Sequence, residues 1–136
     1  MLFTNEENGV RGGNGYVDAH RKELANHILA IESDMGVFQP VGFGLSQKAS
    51  LQARADFTEI AKLLSCIAAD GDGVDIRPMM REGVIGASLD VDLSYYFDIH
   101  HTEADTFDKV NARELAACVA ALAVMVYVVA DMPERL

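Results

Sequence analysis

An uninterrupted run of 16 uncharged residues, Leu115 to Ala130 (LAACVAALAVMVYVVA), limits the fold more than any other stretch. A membrane-spanning helix needs about 20 such residues, and Arg113 and Asp131 close this run in on both sides. It is therefore read as a core helix. Asn111 fits an N-cap, and Glu114 at the third helical position completes a capping-box pattern. The helix is expected from about Ala112 to Ala130. It is apolar nearly all round, so it is expected to lie buried against a sheet.

The rest of the chain supplies that sheet. Leu2 to Thr4 is a short β-type run whose start looks cut off. Gly9, Gly12, Gly13 and Gly15 make a permissive loop, and Tyr16 to His27 reads as helix. Ile28 to Ile31 is a continuous apolar run ending in Glu32-Ser33-Asp34, as in a strand buried on both faces. Met35 to Ser50 holds four glycines or prolines among aromatics and reads as loop. Leu51 to Ala69 repeats apolar residues at helical spacing. Asp70 to Val74 is a turn, and Ile76 to Arg81 forms about one helical turn. Val84 to Val91 is a third strand, and Tyr95 to His101 leads into a polar loop. Three strands separated by helices predict an α/β fold, a mostly parallel sheet flanked by helices. No linker or repeat divides residues 1–136.

Half of the residues are hydrophobic and 24% are charged, which suits a globular domain. A formal net charge of -10 disfavours a phosphate backbone as partner. It suits cations, and it also serves solubility. Cys66 and Cys118 fall in apolar patterns and are expected as buried free thiols; no CxxC spacing exists. Met1 leads into a strand-like run without a basic segment, so no signal peptide is expected.

In parallel sheets, ligands bind beyond the carboxyl ends of the strands. Glu6 and Glu7 lie just past the first expected strand and Asp34 just past the second. His100 and His101 follow the third, in HHTEADTFD. Carboxylates and imidazole gathered at one sheet edge suit zinc or a similar divalent cation. A metal would also relieve the repulsion between the adjacent glutamates. One carboxylate could bind it while the other handles a proton. Each acid alone would equally serve as a helix cap or a solvated side chain. A dinucleotide-binding unit is the rival reading. GVRGGNG lacks the G-x-G-x-x-G spacing, and two glutamates stand where a pyrophosphate would approach.

FTNEENGVRGG, AIESDMGVFQPVGFG, VDIRPMMREGV and YFDIHHTEADTFDKV, in this order, resemble the two-zinc aminopeptidase and carboxypeptidase Q family, metallopeptidase family 28. The resemblance covers nearly the whole chain. It implies a three-layer zinc-peptidase-like sandwich and an exopeptidase acting on peptides or dipeptides as an aminopeptidase, carboxypeptidase or dipeptidase. By resemblance, Glu6 is the general base that activates a metal-bound water. Glu7 binds one zinc, Asp34 the other, and His101 of the H-[TS]-x-x-D-T motif is a further ligand. Asp75 matches an aspartate that supports the site from beside it. Phe38, Phe43, Tyr95 and Tyr96 would line a side-chain pocket or pack in the core.

The family also uses a histidine and a bridging aspartate located before the Glu-Glu pair, where only five residues stand here. His20 and His27, on the first expected helix, are poor substitutes. The chain is thus expected to represent the C-terminal portion of the catalytic domain, a partial domain. Alone it would be weak or inactive, unless a complementing N-terminal fragment or an oligomer completes the site. The alternative is a non-catalytic remnant working as an oligomeric binding or assembly module. Relatives are often periplasmic or secreted.

Overall fold

The structure, a computed structural model, describes residues 2–136. A four-stranded sheet forms its centre, with strands β1 (Ala30–Glu32), β2 (Pro40–Leu45), β3 (Ile67–Asp70) and β4 (Gly86–Val91) in the spatial order β1-β4-β2-β3. The pairs β1/β4 and β2/β3 are parallel, and β2 runs antiparallel to β4. The sheet is mixed, with two parallel pairings out of three. Helices α1 (Arg11–His20), α2 (Leu51–Leu63), α3 (Arg77–Arg81), α4 (Tyr96–Ile99) and α5 (Ala112–Asp131) complete the chain.

Both faces of the sheet are covered by helices. Phe43 and Leu45 of β2 and Ala87, Leu89 and Val91 of β4 pack against Phe57 and Ile60 of α2 and against Cys118, Ala121, Met125 and Val129 of α5. On the other face Ala30 joins Val17 of α1 and Ile76 and Met79 from in and around α3. The α/β class and the flanking helices match the sequence reading.

Several elements differ from that reading. Leu2 to Thr4 stays outside the sheet. The first helix begins and ends earlier than Tyr16–His27, and a separate 3-10 turn occupies Leu24–Asn26. The expected loop Met35–Ser50 contains β2. Its glycines are there for close packing: a Cβ on Gly44 would stand 2.5 Å from the Gly71 Cα, so only glycine lets the backbones approach.

The expected helix Leu51–Ala69 stops at Leu63, and Ile67–Asp70 is β3. Ser65 turns left-handed at φ 56°. Its N–H donates to the Lys62 carbonyl, and the Cys66 N–H donates to the Ala61 carbonyl at 2.9 Å. These two bonds close a helix end of the Schellman type, with serine at the position glycine usually holds. Cys66 is therefore half-buried beside a strand, while Cys118 is buried on α5; both are free.

The last helix forms where expected. Asn111 caps it, its side chain accepting from the N–H groups of Arg113 and Glu114. Its burial is the correction. One face meets the sheet, but Val119, Val124, Val126 and Tyr127 on the other are exposed. Among the described residues, α5 alone has the length and composition to cross a membrane, yet its inner face packs as a core helix does.

Candidate active site

Two connections bring the acids together. β1 and β4 are parallel, so the segments following both emerge at one edge of the sheet. Asp34 follows β1, and the stretch from Tyr96 to Val110 follows β4. At the other end of the chain, a tight turn presents Glu6 and Glu7. The Glu6 carbonyl accepts from Val10 N–H at 2.8 Å, and the Thr4 carbonyl accepts from Gly12 N–H at 3.0 Å. Asn5 (φ 61°) and Val10 (φ 53°) adopt left-handed backbone on either side of the pair.

Glu6, Glu7, Asp34 and His101 line one cavity of about 300 Å³, together with Phe38, Tyr96, His100, Asp105 and Lys109. His101 Nε2 lies 2.7 Å from Glu7 Oε1. Its ring stacks on His100 with centroids 3.9 Å apart, and His100 stacks in turn on Tyr96 at 4.5 Å. Burial pushes the Tyr96 phenol up, and the charges of Asp34, Asp105 and Glu7 push it the same way. Tyr96 therefore sits among three carboxylates.

Of the four aromatics singled out from the sequence, Phe38 and Tyr96 line this cavity. Phe43 is fully buried in the core, edge-on to Phe57. Tyr95 is exposed and lies outside the lining.

Asp75 is carried by the loop between β3 and α3. Its Oδ1 is buried without a hydrogen-bond partner. Burial raises its pKa, and the nearby Asp34 charge adds to this. Glu32 fixes that loop: its carboxylate accepts from Val74 N–H and Ile76 N–H, each at 3.0 Å, on either side of Asp75. Burial is also the main reason the Glu32 pKa is raised; the Ile76 hydrogen bond opposes it, and the charges of Asp34 and Asp75 add to it. Gly13 completes the arrangement, because a Cβ there would stand 2.2 Å from the Asp75 carbonyl oxygen.

Glu32, Asp105 and Lys109 were not singled out in the sequence. Asp105 lies inside the H-[TS]-x-x-D-T motif, which was its available sign. The role of Glu32 depends on a loop more than forty residues away and had none.

The donor set fits a divalent cation in kind: carboxylates and an imidazole, two of them already within 2.7 Å of each other. It is short in number. No group of three such side chains converges among the described residues.

Residues 1–126 match the model of peptidase family M28. The chain belongs to peptidase family M28. Its similarity to carboxypeptidase Q extends over its full length, with 40% identity to that of Xenopus laevis, 37% to that of Mus musculus and 38% to that of Homo sapiens. It spans 30%, 30% and 29% of those three proteins, respectively. A solved structure, the peptidase M28 precursor from Shewanella amazonensis SB2B, superposes with a TM-score of 0.87 at 34% identity. There the M28 match covers 99% of this chain and 31% of that one. The fold is thus part of an M28 domain.

Proposed function

We propose that this chain contributes part of the active site of a zinc-dependent exopeptidase acting on peptides or dipeptides. The observation that carries this reading is the meeting of Glu6, Glu7, Asp34 and His101 on one cavity wall. Family membership and the carboxypeptidase Q relatives support it. Glu7, Asp34 and His101 would hold the metal. A bound zinc ion supplies a Lewis acid that polarises the peptide carbonyl and lowers the pKa of water. Glu6 takes the proton of the attacking water on its carboxylate and delivers it to the leaving amine. Glu32 fixes the loop that carries Asp75, and Phe38 and Tyr96 offer apolar surface to a substrate side chain.

Three protein donors shared between two zinc ions, one or two for each, are too few for tight binding without further ligands. The chain alone is therefore weak or inactive. The test is zinc titration with dipeptide hydrolysis in the completed domain. Glu6→Gln should lower turnover about 10²-fold or more while zinc binding persists. His101→Ala should weaken zinc binding itself. A completed domain without zinc-dependent hydrolysis would overturn the reading.

The shortage of convergent donors favours a second reading, a metal-free assembly module. Unchanged stability of both variants, with no zinc bound to the parent, would establish it.

A further inference from the structure

β2 and β3 run opposite to β1 and β4, so they end at the edge of the sheet away from the acids. There a cavity of about 590 Å³ opens between the turn after β2, the segment after β3 and α3. It shares no lining residue with the cavity of about 300 Å³ that holds Glu6 and Glu7. Close backbone packing shapes its wall. A Cβ on Gly71 would stand 2.4 Å from the Gly44 Cα, so the segment after β3 lies directly against the sheet. A pocket of this size suits a small organic molecule.

The lining carries three cations, Lys48, Arg77 and Arg81, against two carboxylates, Asp70 and Asp72, on a chain whose formal net charge is -10. Both carboxylates are already engaged. Asp70 accepts from the Arg54 guanidinium and from the Gln47 amide, and these two bonds hold its pKa below the ordinary aspartate value. Asp72 accepts from the Arg77 guanidinium at 3.2 Å. Lys48 and Arg81 are exposed and make no ion pair among the described residues. Two positive charges of the lining are therefore left unbalanced.

Ser46 adds a neutral donor. It is only 4% exposed, and every hydrogen bond it makes with the described residues runs through its backbone. Its N–H donates to the Gly86 carbonyl at 2.9 Å, and its carbonyl accepts from Ala49 N–H and from the Arg54 guanidinium, each at 3.1 Å. Among the described residues, Asp75 Oδ1 alone is a side-chain oxygen or nitrogen sealed from solvent without a partner. The unpartnered Ser46 hydroxyl is therefore not sealed, and it opens onto the cavity that Ser46 lines. Met80 gives the same cavity an apolar surface.

We propose that this cavity binds a small phosphate monoester. Such a group carries a charge of about -1.5 to -2 at pH 7, which matches the two unpaired cations. The Arg81 guanidinium offers a planar fork of donors to the phosphate oxygens, and Lys48 supplies a point charge. The Ser46 hydroxyl donates a third contact. The organic part lies over Met80, in space that a bare phosphate would leave empty. A monocarboxylate would leave one cation unbalanced, and a cationic ligand would meet no unengaged carboxylate. The site stands apart from the peptidase reading, with which it shares no residue.

The experiment titrates glycerol 3-phosphate into the chelator-treated 136-residue chain at neutral pH and fixed ionic strength. Calorimetry reads affinity, and amide hydrogen exchange reads location. One-to-one saturable binding is expected, with exchange slowed from Ser46 to Lys48 and from Asp70 to Arg81. Lys48→Gln and Arg81→Gln, both at exposed positions, should each weaken binding about tenfold with helix content unchanged. Arg113→Gln, an exposed cation at the start of α5, should leave it intact. Succinate, a dianion without a phosphoryl group, should bind at least tenfold more weakly. The proposal is overturned by the absence of saturable binding, by affinity unchanged in both cavity variants, or by an equal loss in Arg113→Gln. Equal affinity for succinate or for inorganic phosphate would overturn it too, as would slowed exchange confined to the turn bearing Glu6 and Glu7. None of these readouts uses hydrolysis, so its failure leaves the proposed function standing.

Discussion

His101 reaches Glu7 from a left-handed backbone, φ 56°, which costs a non-glycine residue about 1–2 kcal/mol. Asn5 and Val10 bear similar geometry around the glutamate pair. Such conformations persist where the surroundings over-determine them, and they gather at functional sites. Downstream, the polar loop after His101 is pinned by local charge. The Asp108 carboxylate accepts from the Lys109 ammonium and from the Thr106 hydroxyl, which together hold its pKa at about 2, well under the ordinary 3.8. The folded chain favours the ionised form. This contribution is complete above the unfolded value and fades as pH falls through about 2. A carboxyl-detected NMR titration should find the Asp108 midpoint near 2; a midpoint at the ordinary aspartate value would show that the Lys109 pairing is not made in solution.

At the scale of elements, the helix ends are the accessible levers. Ser65 occupies a left-handed helix-terminal position suited to glycine. Ser65→Gly should stabilise the chain by about 0.5–1 kcal/mol, seen as a higher urea midpoint at constant slope. Asn111→Ala removes the acceptor for two N–H groups at the start of α5 and should cost about 1 kcal/mol. The two ends also differ in how legible they were. Asparagine before an apolar helix announces a cap through its own chemistry. Serine at a Schellman position announces nothing, so the apolar spacing of Leu63, Leu64 and Ile67 carried the expected helix into β3. β2 stayed hidden for a related reason: Gly42 and Gly44 read locally as breakers, whereas their purpose is contact with residues distant in sequence. Glu6, Glu7, Asp34 and His101, which line one cavity, could be singled out because each stands inside a contiguous motif. Glu32 could not, because it acts through a loop folded back from far along the chain.

For the molecule as a whole, stability rests on the larger cluster around Phe43, Phe57, Leu89 and Met125, the largest fully buried side chains. Phe43→Ala should cost about 3–5 kcal/mol, a large share of the roughly 5–15 kcal/mol that holds a domain folded. Chemical denaturation should therefore show the variant partly unfolded in buffer; a loss under 1 kcal/mol would place the core elsewhere. The reversal of β2 within the sheet separates two rims. β1 and β4 end at the rim that carries the acids, whereas β2 and β3 end at the opposite one. The link from β2 to α2 crosses that far rim, and Gln47 and Lys48 on it are exposed. New chain ends, or a grafted reporter, placed between these two residues would leave Glu6, Glu7, Asp34 and His101 on their common wall. The reversed strand thus gives this half-domain a natural handle on the side away from its chemistry.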